Sequence, residues 1–328
     1  MAGTDEKAEL GELPRDPPLD PANQEFVDGL GLGPPIRALS PVDARDALVA
    51  MQSRRTGKPP ADVEDVVLPV GPHGVVHVRL VRPPESKDPL PVVMLFHGSG
   101  WTLGDANTHD RLARELAVGA HATIAVVEFG RAPENQYPFA IEEAYAATKY
   151  VAEHSVSLNI DASRIAVVGD SSGGNIATAV TLLCKERRGP KINFQVLFYP
   201  VTDANFESAS YRIFQNGPWL TREAMERSWN AYLPDKARRN AITATPASAT
   251  ADQLRELPDA LVITAECDVL RDEGEAYARK LWEAGVRVTC ARFLGTIHDF
   301  VMLNALADAP ATRGAIALAA TTLREALL

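Results

Sequence analysis

The chain has 328 residues, of which 46 % are hydrophobic, enough for a large buried core in one domain with insertions. Its 33 Lys and Arg against 43 Asp and Glu leave a formal charge of −10, which, with no dense Lys/Arg stripe, argues against binding to nucleic acid by phosphate neutralisation. Three cysteines, Cys184, Cys267 and Cys290, lack Cys-x-x-Cys spacing and suggest neither a disulfide framework nor a structural zinc.

Along the chain, residues 1–60 are rich in proline and charge, show one helical stretch near Pro41–Met51, and are expected to form an appendage. The acidic start is unlike a secretory signal, and no apolar run approaches the ~18 residues of a membrane span, so a cytoplasmic protein is expected. Gly29-Leu-Gly-Leu-Gly33 follows no strand and is assigned to a loop, not a dinucleotide site. From Val63 the pattern changes. Val63–Val70 and Val75–Val81 flank a Gly-Pro-His-Gly turn, which predicts an antiparallel hairpin of two edge strands.

Short apolar runs then alternate with helical stretches: Pro91–Phe96, Thr123–Val127, Ile165–Val168, Phe194–Tyr199, Ala260–Thr264 and Val286–Phe293. Near-continuous apolar strands belong to a sheet covered on both faces, and intervening helices imply parallel crossovers. The fold class is therefore α/β, with about eight mostly parallel strands. Residues 204–245 break the rhythm with Tyr211, Phe214, Trp219, Trp229 and Tyr232, and are too long for a connecting loop. The expected division is a segment 1–60, a core 61–203, an insertion 204–245 and the rest of the core, 246–328.

Chemistry concentrates at three strand ends. Gly169-Asp170-Ser171-Ser172-Gly173 follows the run Ile165–Val168 and precedes a helical stretch from Asn175 to Cys184, the setting of a nucleophile elbow. The pattern alone is weak; a glycine-rich turn holding a phosphate is the alternative, though no P-loop lysine is present. A serine hydroxyl needs a base, and the base needs an orienting group. Asp268, after the run Ala260–Thr264, and His298, after the last strand, complete the order Ser, Asp, His. Asp268 could instead cap the helix predicted over 274–284, for which Asp272 or Glu273 is better placed; Asp299 is the other acid able to orient His298, and His298 has the alternative of an ordinary loop histidine. Backbone amides of Ser99 and Gly100, in His97-Gly98-Ser99-Gly100-Trp101 after a strand, and of Ser172 at the helix start are the oxyanion candidates; His97 is assigned a structural role. Cys267 is taken as a packing residue.

With these residues the chain resembles the bacterial hormone-sensitive lipase family (family IV) of carboxylesterases in the α/β-hydrolase superfamily. His97-Gly98-Ser99-Gly100 matches the family's His-Gly-Gly-Gly loop, and Gly169-Asp170-Ser171-Ser172-Gly173-Gly174 its Gly-Asp-Ser-Ala-Gly-Gly elbow. Gly130-Arg131-Ala132-Pro133-Glu134, the block Asp268–Gly274 and Ile297-His298 match further segments, so the resemblance covers roughly residues 60–328. It implies an α/β-hydrolase fold, with residues 1–60 and 204–245 as a helical cap and Trp101, Phe214 and Trp219 as walls of an apolar substrate pocket. It also implies pairing into a homodimer through residues 286–294 and 310–327.

Three departures stand out: Ser99 and Asp299 replace glycines, and Ser172 replaces alanine. The Cβ of Ser99 is expected to narrow the approach of bulky acyl groups. Asp299 is expected to raise the pKa of His298 if its carboxylate faces the ring.

The resulting expectation is a serine carboxylesterase acting on small-molecule esters of short to medium acyl chains through an acyl-enzyme on Ser171, without metal or organic cofactor. An amide, carbamate or lactone hydrolase using the same triad is the alternative within enzymes. A non-catalytic ligand-binding protein on this fold is the alternative outside them, and the presence of His298 argues against it.

Overall fold

A computed structural model describes residues 17–31, 36, 39–53 and 56–328. Eight strands, β1 (Asp62–Leu68), β2 (Val76–Arg82), β3 (Leu90–Phe96), β4 (Thr123–Glu128), β5 (Ile160–Asp170), β6 (Phe194–Phe198), β7 (Asp259–Cys267) and β8 (Val288–Ile297), form one sheet in the order β1-β2-β4-β3-β5-β6-β7-β8. β1 and β2 are antiparallel to their neighbours, and every pairing from β4 to β8 is parallel. The hairpin is thus as expected, with one correction. Of the two hairpin strands only β1 is an edge, because the inner side of β2 pairs with β4.

Alternation of side chains along each strand splits the core into two layers. Val92, Met94 and Phe96 of β3 face one layer with α4 (Phe139–Glu153), α5 (Ser172–Glu186) and α9 (Arg271–Glu283). Val93 and Leu95 face the other, with α3 (Asp110–Ala120) and α10 (Pro310–Ala326). β8 departs from the expectation of strands buried on both faces. It is the second edge, and its first seven residues are exposed or half-buried.

The N-terminal region holds α1 (Pro21–Asp28) and α2 (Pro41–Gln52). α2 coincides with the predicted stretch, but α1 was not anticipated. Its signal was present: Asp20 caps the helix by accepting from the amides of Ala22 and Asn23, and Pro21 occupies the first helical position. Gly29 closes α1, whereas Leu32 and Gly33, like residues 1–16 and the expected leaderless start, lie outside the described residues. Between β6 and β7 come α6 (Ala209–Ile213), α7 (Arg222–Tyr232) and α8 (Ala251–Leu254).

Arg45 of α2 donates to the carbonyls of Thr102 and Ala132 and pairs with Glu134 at 2.7 Å. The guanidinium holds the Glu134 carboxyl down at about 2, against an ordinary 4.5. A depressed carboxyl stabilises above its unfolded pKa, so this contribution is present above about pH 4.5 and fades as pH falls toward 2. Because the pair is largely solvent-screened, it is worth at most about 1 kcal/mol. Urea unfolding at pH 6 and pH 3 checks this: Glu134→Gln lowers stability at pH 6 and has less effect at pH 3.

Candidate active site

The chain reverses its winding direction at β3, which pairs with β4 on one side and β5 on the other. In such sheets ligands collect beyond the carboxyl ends of the strands at that point. Ser99 follows β3, and Ser171 follows β5.

Ser171 has φ 55° and ψ −121°, a left-handed conformation that costs a side-chain-bearing residue about 1–3 kcal/mol. Hydrogen bonds fix it on both sides, Ser171 N to Phe198 O at 2.9 Å and Val201 N to Ser171 O at 3.0 Å. The flanking glycines are required by close approach. A Cβ at Gly169 would lie 2.1 Å from Gly173 O, and one at Gly173 only 1.9 Å from Phe96 O. Since those obstacles are backbone, Gly173→Ala is expected to destabilise by about 4 kcal/mol or more. Loss of soluble protein, or a collapse of the thermal midpoint, is the readout.

The helix α5 behind the elbow begins at Ser172, so the amide there lies at the positive end of the helix dipole. In the loop after β3, Ser99, Gly100 and Trp101 have φ of 79°, 67° and 57°. Ser172 Oγ accepts from Trp101 N at 3.0 Å, and Trp101 O accepts from Ala132 N at 2.9 Å, which together stabilise this strained turn. Gly98 N donates to Asp170 Oδ1 at 3.0 Å; a Cβ on Gly98 would strike that carboxylate at 2.2 Å. Among the described residues, the amides of Ser99 and Gly100 donate to no acceptor.

Asp268 and His298 follow β7 and β8 and complete a buried relay. His298 Nδ1 lies 2.7 Å from Asp268 Oδ2, and His298 Nε2 lies 2.8 Å from Ser171 Oγ. A carboxylate can only accept, which assigns the neutral imidazole its proton on Nδ1 and leaves Nε2 to accept the serine hydroxyl. Asp268 also receives Leu270 N on Oδ1 at 3.1 Å, so it does serve the start of α9 while orienting the histidine. Neither Asp272 nor Glu273 caps that helix. Both lie within its first turn, where Asp272 accepts from Ser210 N and Glu273 from the amides of Thr202 and Asp203.

The charged surroundings are acidic. Burial pushes the Glu273 carboxyl well above its ordinary range, against the lowering pull of the Thr202 and Asp203 amides. Burial also lowers His97, which stacks on Phe129 at 4.1 Å as a structural residue should. Burial would depress His109 too, but the carboxylate of Asp170, 3.2 Å from Nε2, reverses the balance and raises it. Among the described residues no cluster of three or more His, Cys, Asp or Glu could hold a metal, and no helix is long and apolar enough to cross a membrane.

A family profile described as the alpha/beta hydrolase fold matches residues 93–302. The chain belongs to the α/β-hydrolase fold family. Within it, the chain falls in the hormone-sensitive-lipase-like branch that its motifs resembled. It is 39 % identical over 247 residues to carboxylesterase NlhH of Mycobacterium tuberculosis, covering 75 % of this chain and 77 % of that one. A thermostable esterase from Pseudomonas putida ECU1011 superposes with a TM-score of 0.93 at 45 % identity, covering 95 % of this chain and 98 % of its own. Carboxyl esterase 2 of the fungus Tuber melanosporum gives 0.87 at 33 % identity, covering 94 % and 100 %.

The aromatic candidates occupy different places in this α/β-hydrolase. Trp101 is fully buried, stacked on Tyr232 at 4.3 Å and edge-on to Trp229 at 4.9 Å. Phe214 is buried beneath the guanidinium of Arg271 at 5.5 Å. Trp219 is the one near the relay, its indole N–H donating to Asp299 Oδ2 at 2.9 Å. Sequence reasoning missed three supports. Asp170 anchors Gly98, Ser172 Oγ anchors Trp101, and Asn23 of α1 accepts from Ile297 N at 3.1 Å, fixing the residue before His298. An acid inside an apolar, glycine-rich elbow was the available signal for Asp170, since such a group needs a donor. For Asn23 no local signal existed.

Proposed function

We propose that this protein is a serine carboxylesterase in which Ser171 is the nucleophile, His298 the general base and Asp268 its orienting acid. The supporting observation is the continuous chain Asp268–His298–Ser171, with contacts of 2.7 and 2.8 Å, on a strained elbow. Ser171 Oγ attacks the ester carbonyl as its proton passes to His298 Nε2. The amides of Ser99, Gly100 and Ser172 receive the oxyanion, and the imidazolium then protonates the departing alcohol. Water, activated by the same base, releases the acyl group.

The described part of residues 1–60, with 204–245, acts as a cap over a core of 61–203 and 246–328. Contacts in keeping with this are Ser228 of α7 against Gly100, where a Cβ would lie 2.6 Å from Oγ, the Trp101–Tyr232 stack, and Phe26 edge-on to Trp219 at 5.3 Å. Of the three expected wall aromatics, Trp101 and Phe214 are packed inside the protein and Trp219, beside the relay, is left to bound the acyl and alcohol space; the substrates are small esters of short to medium chain. The buried free thiol of Cys184 suits a reducing cytoplasm, and the exposed edge β8 suits pairing with a second copy, which light scattering would detect as a doubled mass.

The decisive test is a panel of p-nitrophenyl esters from acetate to decanoate beside matched anilides, with titration of the enzyme by an organophosphonate. The expected result is one phosphonate per chain on Ser171, turnover falling along the longer acyl chains, and slower anilide cleavage. Preference for the anilides would favour an amidase, and absence of both turnover and labelling would overturn the reading.

A further inference from the structure

His298 faces a second carboxylate. Asp299 Oδ1 lies 3.3 Å from His298 Nε2, the same nitrogen that meets Ser171 Oγ, while Asp299 Oδ2 accepts the indole N–H of Trp219 at 2.9 Å. Asp299 has φ 66°, a conformation that strains any residue with a side chain, though Asp less than most. The amides of Met302 and Leu303 both hold its carbonyl at 2.9 Å. Adjacent residues usually point apart, so the turn at Asp299 is what swings its carboxylate back over the imidazole.

We propose that Asp299 is a positioning residue that holds His298 in its protonated state during turnover and couples that state, through Trp219, to the segment between α6 and α7. This rests on the esterase reading for its place in catalysis. When His298 is neutral, the Asp299 carboxylate faces the lone pair of Nε2; once the Ser171 O–H bond breaks and Nε2–H forms, it faces a donor. The interaction therefore discriminates between the two states, and only such a difference can affect the chemical step. The proton stays on Nε2 until the leaving alkoxide takes it, so no further donor or acceptor is consumed.

The described groups packed around the pair make contacts of other kinds. Asp268 occupies the Nδ1 side, and the ring of Tyr199 stands edge-on to the imidazole at 4.8 Å. Burial, with Asp170 and Asp299 adding to it, raises Tyr199 far above its ordinary range, so that phenol is neutral. On the far side, His109 interacts electrostatically with Asp299 but is 3.2 Å from Asp170. Arg111 directs its guanidinium to the carbonyls of Val301 and Leu303, to Glu115 and to Asn304. On the cap side, Trp219 contributes a neutral N–H and packs edge-on to Phe26 of α1.

Asp299→Asn removes the charge while an amide oxygen can still accept from Trp219. A nearby carboxylate favours the imidazolium, so its removal should shift the acidic limb of kcat/KM down by about one pH unit. The plateau of kcat should fall several-fold with KM little changed. The imidazole NMR titration of His298, identified by its absence in His298→Gln, should move down by the same amount. Trp219→Phe keeps the ring and deletes the donor, and should produce a smaller shift of the same sign. Asp299→Gly, which suits the left-handed backbone, replaces the asparagine variant if that one does not fold. Superimposable titrations in wild type and variant, or losses of kcat that track thermal midpoint without any shift, overturn the proposal. A wild type without ester turnover would refute the esterase reading instead, while the NMR titration would still decide the role of Asp299.

Discussion

Ser171→Ala is expected to lower kcat on p-nitrophenyl butyrate by at least about 10⁴-fold, a barrier increase of about 5.5 kcal/mol. The substitution deletes only Oγ. Alanine meets the same φ of 55° as serine, and the backbone bonds to Phe198 and Val201 survive, so the elbow remains formed. The residual rate comes from oxyanion donors and binding, which the variant retains. Thermal unfolding should stay near wild type, and phosphonate labelling should vanish together with turnover. Hydrolysis at close to the wild-type rate would remove Ser171 from the mechanism.

Asp268→Asn should cost about 10⁴-fold in kcat by a different route. Asparagine fits the same space and can keep Leu270 N as a donor to its oxygen, which occupies the Oδ1 position. That arrangement turns an amide N–H toward His298 Nδ1. The imidazole then carries its proton on Nε2, pointing at Ser171 Oγ, where it can no longer accept. Asp299 does not compensate, because it contacts Nε2 and not Nδ1. The two carboxylates are thus separable in one experiment. Loss of Asp268 removes the base from the reaction at every pH, whereas loss of Asp299 chiefly moves the pH at which the base becomes available. Wild-type kcat in Asp268→Asn would show that the histidine is oriented by something else.

Much of the architecture was legible because it is written in short stretches. Val92–Phe96, Ile124–Val127 and Ile165–Val168 are apolar without interruption because helices cover both faces of their strands. The elbow is legible for a related reason: backbone crowding at Gly169 and Gly173 admits no side chain, so the requirement appears directly as glycine. β8 was harder. Its edge position leaves one flank unpaired and its outer residues exposed, so it lacks the covered-strand signature.

What the amino-acid order determined by itself was the set of strands, the sharp glycine-flanked turn at Ser171 and the placing of Ser171, Asp268 and His298 just after three strands, since each depends on residues within a few positions of one another. Only the tertiary structure decided which groups meet: Asn23 with Ile297 across 274 positions, Ser172 with Trp101, and Asp299 with both Trp219 and the base nitrogen. Those pairings arise from how helices and loops settle on the sheet. A hydrogen bond between distant segments needs only a donor and an acceptor of common type, so no local pattern marks it before the chain is folded.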